Sequence, residues 1–204
     1  NALTLSADER PRFFVIDAKE EQIKDLAAQV SSMGARLENI TPMIRGRILN
    51  INDEDKELRK KTVNLSYRNN LKASEKIIQG REFSGVYNSK DYSKPIEVSV
   101  EKRYASKIGV DVGDRLIFDI LGLELEAIIV NIRTVKWTEF APNFFLILQE
   151  GALDNAPKTM LATISRGDYD AQEMLLKLSD LYPSLSVVDV KNLFEAFSDL
   201  VKNV

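Results

Sequence analysis

The chain has 204 residues, 44% hydrophobic and 8% aromatic, the make-up of an ordinary folded protein with enough length for one sizeable core or two lobes. It contains no His and no Cys, which excludes Ser-His-Asp and Cys-His catalysis, thiol redox chemistry, and zinc held by imidazole or thiolate. A net charge of −3, with Lys and Arg spread along the chain, excludes nucleic acid as the main partner, because that binding needs a concentrated basic face. No apolar run approaches the roughly 20 residues of a membrane span, and the first residues show no secretion-signal pattern. The nine glycines are scattered and form neither a P-loop nor a dinucleotide fingerprint. The acidic run Asn52-Asp53-Glu54-Asp55 lacks calcium-loop spacing, since Lys56 follows, and reads as a solvated loop. These exclusions lead us to expect a non-catalytic chain without catalytic, metal or cofactor-binding residues of its own.

In chain order, Arg12 to Asp17 is a short run of strand formers after Pro11. Asp17 is placed to cap a helix over about 19–33, closed by Gly34, with Ile23, Leu26, Ala27 and Val30 as its apolar stripe. An extended stretch from Ile40 to Ile51 follows, with Met43, Arg45, Arg47, Leu49 and Ile51 on one side. This is one strand-helix-strand unit. The chain closes with a second. Thr159 to Ser165 reads as a strand, Gly167-Asp168 as a helix start, and Ala171, Met174, Leu175, Leu178 and Leu181 as a stripe that stops at Pro183. Leu185 to Asp189 is the next strand. A last helix from Val190 carries Leu193, Phe194, Phe197, Leu200 and Val201 on one face and is still in pattern at Val204, so we expect it to continue beyond.

The middle is different. Val63 to Phe83 is polar and irregular, with a short helix around Ser74 to Gln79. Ile96, Val98 and Val100 alternate with Glu97, Ser99 and Glu101, the pattern of a half-buried strand. A helical turn over Tyr104 to Gly109 leads to a tight turn at Val112-Gly113-Asp114. There Gly tolerates positive φ and Asp can bond its own backbone, so Gly113 and Asp114 read as a structural turn. Leu116, Phe118 and Ile120 alternate with Ile117, Asp119 and Leu121. Gly122 makes a hairpin, and Leu123 to Arg133 returns with Glu124 and Glu126 outside. Phe144 to Gln149 is one more strand. The expected class is α+β, a split βαβ lobe formed by residues 11–50 and 157–204 around a β-rich insertion at 51–156.

Trp137, the single Trp, lies close to Phe140, Pro142, Phe144 and Phe145. Exposed, these residues would form an interaction surface. Packed, they would be core of the insertion, as large aromatics are on average. Both readings stay open. Arg45 and Arg47 offer contacts to an anion or simply a solvated strand face. A carboxylate-pair hydrolase would need Glu124 and Glu126 in a cleft, and their alternation with Leu123 and Leu125 puts them on a solvent face.

Two segments carry a family resemblance. Val100 to Phe118, with Ala105, Gly109, Gly113-Asp114, Leu116 and Phe118, resembles the signature of extracytoplasmic domains in FtsX/MacB-type ABC-transporter permeases. Arg133-Thr134-Val135-Lys136-Trp137-Thr138-Glu139-Phe140-Ala141-Pro142-Asn143-Phe144-Phe145 is similar to the YbbP-like branch of those permeases. Gly151 to Asp154, Pro157 to Thr159, Pro42 to Ile48 and Asn64 to Arg68 continue the likeness, which runs from about Pro11 to Val204. The resemblance implies a domain hung between two transmembrane helices on the periplasmic side of a bacterial inner-membrane permease. Its lobe from the chain ends would be porter-like, in the ferredoxin-like manner, and its insertion sabre-like. It also implies a cytoplasmic ABC ATPase that handles ATP outside this chain, and a periplasmic partner or exported substrate. The alternative is a free-standing periplasmic ligand-binding or adaptor protein.

Overall fold

The computed structural model describes residues 10–53, 62–90, 94–136 and 141–190. It is mixed and sheet-dominated, an α+β protein. The order is β1 (Phe13–Ala18), α1 (Ile23–Ser32), β2 (Leu37–Ile51), β3 (Thr62–Tyr67), β4 (Glu75–Gly80), β5 (Ile96–Glu101), α2 (Lys102–Ile108), β6 (Arg115–Ile120), β7 (Leu123–Val135), β8 (Leu146–Leu148), β9 (Thr159–Ile164), α3 (Ala171–Leu181) and β10 (Ser186–Asp189). The chain divides into two compact units. One takes residues 1–42, 138–142 and 158–204, the other 43–137 and 143–157, so the dividing point near the start falls inside β2.

In the first unit the strand order is β10-β1-β9-β2, and β1 runs antiparallel to both β10 and β9. Phe13, Val15, Met160, Ala162 and Ile164 pack with Leu26 and Val30 of α1 and Met174 and Leu178 of α3. Each helix therefore buries residues four apart, one stripe against the sheet, as an amphipathic helix must. The helix starts differ from the sequence reading. Asp17 is not a cap but a residue of β1, at φ 62, where the register with β9 shifts between Val15 and Ala18. That bulge moves the buried position from 17 to Ala18, and α1 begins only at Ile23, after a single 3₁₀ turn over Glu20–Gln22. α3 begins at Ala171 and not at Gly167-Asp168, because Asp170 accepts from the Gln172 and Glu173 N–H groups at 2.7 and 3.0 Å. Its stripe holds through Leu178, while Leu181 is exposed. The Tyr182 hydroxyl donates to Asp25 of α1. Burial, with that carboxylate beside it, pushes the phenol up to about 12. The proposed helix with Leu193, Phe194, Phe197, Leu200 and Val201 lies outside the described residues.

The second unit is a ladder that returns on itself. β2 pairs β3, β3 pairs β8, β8 pairs β5, β5 pairs β7, β7 pairs β6, and β6 pairs β2. Closure removes the free edges that an open sheet would present. Ile44, Ile48, Leu65, Val98, Val100, Leu116, Phe118, Ala127, Ile129, Leu146 and Leu148 form one buried cluster from all six closing strands. β4 sits apart from the closed ring, antiparallel to β7. Four sequence expectations are overturned here. The segment expected as a helix around Ser74 to Gln79 is largely strand β4, Glu75–Gly80, and most of β3 as well as β4 falls in Val63 to Phe83, where an irregular run was expected. Cross-strand partners in β7 and β8 settle both, and neither lies close in sequence. β5 is buried on both faces, not one. On β2, Arg45 and Arg47 are exposed while Ile44 and Ile48 point to the core. A register shift against β6 between Ile48 and Asn50 turns Ile51 inward, so the five residues first grouped on one side do not share an environment.

Gly80 and Gly113 both hold positive φ, 86° and 95°. A Cβ at Gly80 would lie 2.1 Å from the Val130 carbonyl oxygen, whereas one at Gly113 meets nothing within 4 Å. Gly113→Ala should therefore cost about 1–2 kcal/mol, the left-handed backbone penalty alone. Gly80→Ala should cost more, because β4 must also move off β7. Urea denaturation of the two variants compares them directly, and equal midpoint shifts would mean that the close approach at Gly80 does not matter.

Candidate interaction site

The turn at Gly113-Asp114 is tied on every side. The Asp114 carboxylate accepts from the Asp111 N–H at 2.7 Å and from Asn52 Nδ2 at 2.9 Å, and Asn52 Oδ1 accepts from the Arg115 N–H at 2.9 Å. The Gly113 N–H donates to the Ile129 carbonyl at 2.8 Å, and the Ile129 N–H to the Asp114 carbonyl at 2.9 Å. Gly109 ends α2 in the left-handed conformation, and Glu101 opens that helix by accepting from the Tyr104 N–H at 2.9 Å. Both Asp114 oxygens are thus occupied by backbone and side-chain donors of the turn's own surroundings.

Of the aromatic run, Trp137 and Phe140 lie outside the described residues. Pro142 and Phe144 are buried. Phe145 is 46% exposed and stacks on Tyr104, ring centroids 5.1 Å apart at 12°. Alternation along this stretch therefore sends Phe144 inward and leaves Phe145 on the outside, stacked on the part-buried Tyr104 beside β5. The Glu101 N–H donates to the Phe145 carbonyl at 2.8 Å, which holds the pair against that strand.

What anchors this run is a buried ion network that sequence reasoning missed. The Arg133 side chain is fully enclosed. Its Nε donates to Glu75 at 3.2 Å and its Nη1 to the Ser99 carbonyl and hydroxyl at 2.8 and 3.0 Å, while Nη2 donates to the Phe144 carbonyl. Glu75 also takes a two-pronged contact from Arg68 at 2.6 and 2.5 Å and the Lys72 N–H at 2.9 Å. The Ser99 hydroxyl donates to Asn131, whose amide donates to the Arg81 carbonyl at 2.8 Å. Burial pulls the Arg133 guanidinium down to about 10, with Glu75 opposing, so it is still a cation at neutral pH. Burial alone would raise the Glu75 carboxyl. The Arg68 guanidinium, helped by the Lys72 N–H and Arg133, outweighs that and holds it below the ordinary carboxylate range. One signal for the network was present: Arg133 continues the apolar run of β7 at a position where a solvent-facing strand would need no buried partner.

The remaining candidates sit on the surface of the same unit. Arg47 pairs with Asp119 at 2.6 Å, and the Gly122 N–H and Arg47 together hold the Asp119 carboxyl low. Glu124 and Glu126 are exposed, and Glu126 pairs with Arg115. Two hollows of about 540 and 530 Å³ share Tyr87, Lys94, Pro95 and Ile128 as lining. The first adds Arg115, Glu124 and Glu126, the second Arg81, Glu97 and Gln149. Glu97 accepts from Arg81 at 2.6 Å and from the Ser84 N–H at 2.7 Å, which accounts for the burial of that face of β5.

Removing one partner of an enclosed ion pair leaves an uncompensated charge, at a cost of about 3–5 kcal/mol. Glu75→Gln should lose stability in that range. A carboxyl whose folded pKa lies below its unfolded one stabilises above the unfolded value and loses that contribution as pH falls through the folded value. Wild type should therefore weaken in acid below the ordinary carboxylate range, and Glu75→Gln should flatten that limb. Urea denaturation at several pH values measures both, and an acid limb unchanged by Glu75→Gln would remove Glu75 from the account.

No family model matches the chain. One solved structure, a domain of a putative permease protein from Porphyromonas gingivalis, covers 89% of each chain at a TM-score of 0.36 and 13% identity. In sequence, 188 residues are 29% identical to the uncharacterized ABC transporter permease YbbP of Escherichia coli (strain K12), which is 89% of this chain. The chain spans 22% of that permease's length. The resemblance carried by the Gly113-Asp114 and Arg133 to Phe145 segments is thus matched along almost the whole sequence, and the chain is related to the ABC-transporter permeases.

Proposed function

We propose that this chain is the periplasmic domain of an FtsX/MacB-type permease, a non-catalytic module that contacts exported substrate or partner proteins and passes on movement driven by a cytoplasmic ATPase. The observation that carries the reading is the extent of the sequence match, which takes in nearly all of this chain yet only a domain-sized part of a permease. Two features support it. Among the described residues no helix is long and apolar enough to cross a membrane. The strand-helix-strand pairs with order β10-β1-β9-β2 suit a porter-like lobe, and the closed β unit suits a sabre-like one. In this reading the chain takes no nucleotide itself. ATP is bound by a separate ATPase, and force arrives through the flanking transmembrane helices as a shift between discrete packed arrangements.

Sidedness is tested directly, because the chain has no native Cys. Leu121→Cys, at an exposed hairpin tip, in a cysteine-free parent permease should react with a membrane-impermeant maleimide in intact spheroplasts. Labelling only after lysis would overturn the periplasmic assignment. Replacing residues 11–200 by a flexible linker should abolish transport while the ATPase subunit still assembles. Full transport by that variant, or ATP hydrolysis by the purified chain, would overturn the role.

A further inference from the structure

We propose that the first unit holds a binding site for a phosphate group, in the hollow lined by Arg12, Arg166, Gly167, Tyr169 and Ala171. The hollow has a volume of about 320 Å³ and no carboxylate lines it. Arg12 is fixed from both ends. Its N–H donates to the Ile164 carbonyl at 2.8 Å, its carbonyl accepts from the Val190 N–H at 3.1 Å, and its guanidinium lies 5.5 Å over the Phe13 ring. Asp189 takes only Nη2, at 2.8 Å, and the enclosed Nε has no acceptor. Arg166 is exposed, and its Nε donates to the Arg10 carbonyl at 3.1 Å, which orients the guanidinium fork.

The walls suit an anion. The Tyr169 hydroxyl donates to the Ser165 carbonyl at 2.7 Å and so stands as a fixed side of the hollow. Burial raises that hydroxyl's pKa, the fields of Arg12 and Arg166 pull it back and that of Asp189 adds to the rise, which places both cations and the one carboxylate near the same spot. A Cβ on Gly167 would lie 2.6 Å from the Gly34 carbonyl oxygen and 3.0 Å from the Tyr169 ring, so only glycine leaves this wall as it is. Ala171 opens α3, whose Asp170 cap already takes the Gln172 and Glu173 N–H groups. Asp189 engages one nitrogen of Arg12, and Arg166 gives only its Nε to a carbonyl, so guanidinium donors are left over in a planar fork geometry that suits a phosphate. This inference stands on the arginines alone and does not depend on the permease reading.

The test titrates the chain, followed by amide NMR, with inorganic phosphate, glycerol 3-phosphate and, as a carboxylate control, acetate. In a second arm the chain is sedimented with phosphatidylcholine vesicles with or without phosphatidylglycerol. Arg12 variants would also break the Asp189 pair, so the deciding variant is the exposed Arg166→Gln, whose melting should match wild type. Saturable shifts at Arg166 to Ala171 with phosphate or glycerol 3-phosphate, weakened about tenfold or more by Arg166→Gln, support the site. Sedimentation that needs phosphatidylglycerol and is lost in Arg166→Gln supports it with a lipid headgroup as the source, and soluble binding alone assigns a free phosphate compound. No saturable shift in either arm, shifts unchanged in Arg166→Gln, or acetate binding as tightly as phosphate would overturn the proposal.

Discussion

In the second unit a cation has been taken out of water, and its neighbours are arranged to make that tolerable. Arg133 has no exposed surface, and its hydrogen bonds reach β4 through Glu75, β5 through Ser99 and the segment before β8 through the Phe144 carbonyl. An unpaired guanidinium there would cost several kcal/mol, so each of those elements is constrained to keep its acceptor in place. Glu75 needs Arg68 as well, since burial acts against its charge. A buried ion pair is weak support for stability as such. What it supplies here is register, because a strand shifted by one residue would carry its acceptor out of reach.

The closed ladder follows from the same economy. β5 has a neighbour on each side, parallel β7 and antiparallel β8, and polar residues on its outer face. Glu97, Ser99 and Glu101 are buried because each finds a donor or acceptor within the unit: Arg81 and Ser84 for Glu97, Asn131 and Arg133 for Ser99, the start of α2 for Glu101. Inside the ring the apolar residues of alternate positions fill the space, and β4 is the strand left beside it. The exposed Phe145 ring, stacked on the part-buried Tyr104 of α2, is held just before β8 by the Glu101 N–H, which donates to the Phe145 carbonyl.

Two surface features suit the recognition role that we propose for this chain. One is the aromatic pair beside β5. The other is the pair of guanidiniums lining the first unit's hollow, our proposed phosphate site, where geometry would count as much as charge. Neither asks for a nucleophile, a relay or a nucleotide loop, in keeping with a chain that has neither His nor Cys.

The amino-acid sequence by itself determined the parts governed by neighbours along the chain. The stripes Leu26 with Val30 and Met174 with Leu178 specify two amphipathic helices. The alternation of Leu116, Phe118 and Ile120, broken by Leu121-Gly122, specifies a hairpin, and Gly109 and Gly113 mark backbone that must turn left-handed. The segments around Gly113-Asp114 and Arg133 to Phe145 also pointed to the permease family. Only the tertiary structure decided that Glu75 to Gly80 is a strand, that both faces of β5 are buried, and that bulges at Asp17 and near Asn50 reverse which residues face the core. The physical reason is the same in each case. Local pattern reports how one segment would divide between water and an apolar face, but a strand's partners lie far along the chain. The sequence places Arg133 at the end of an apolar run, and only the fold brings Glu75, Ser99 and Phe144 around it.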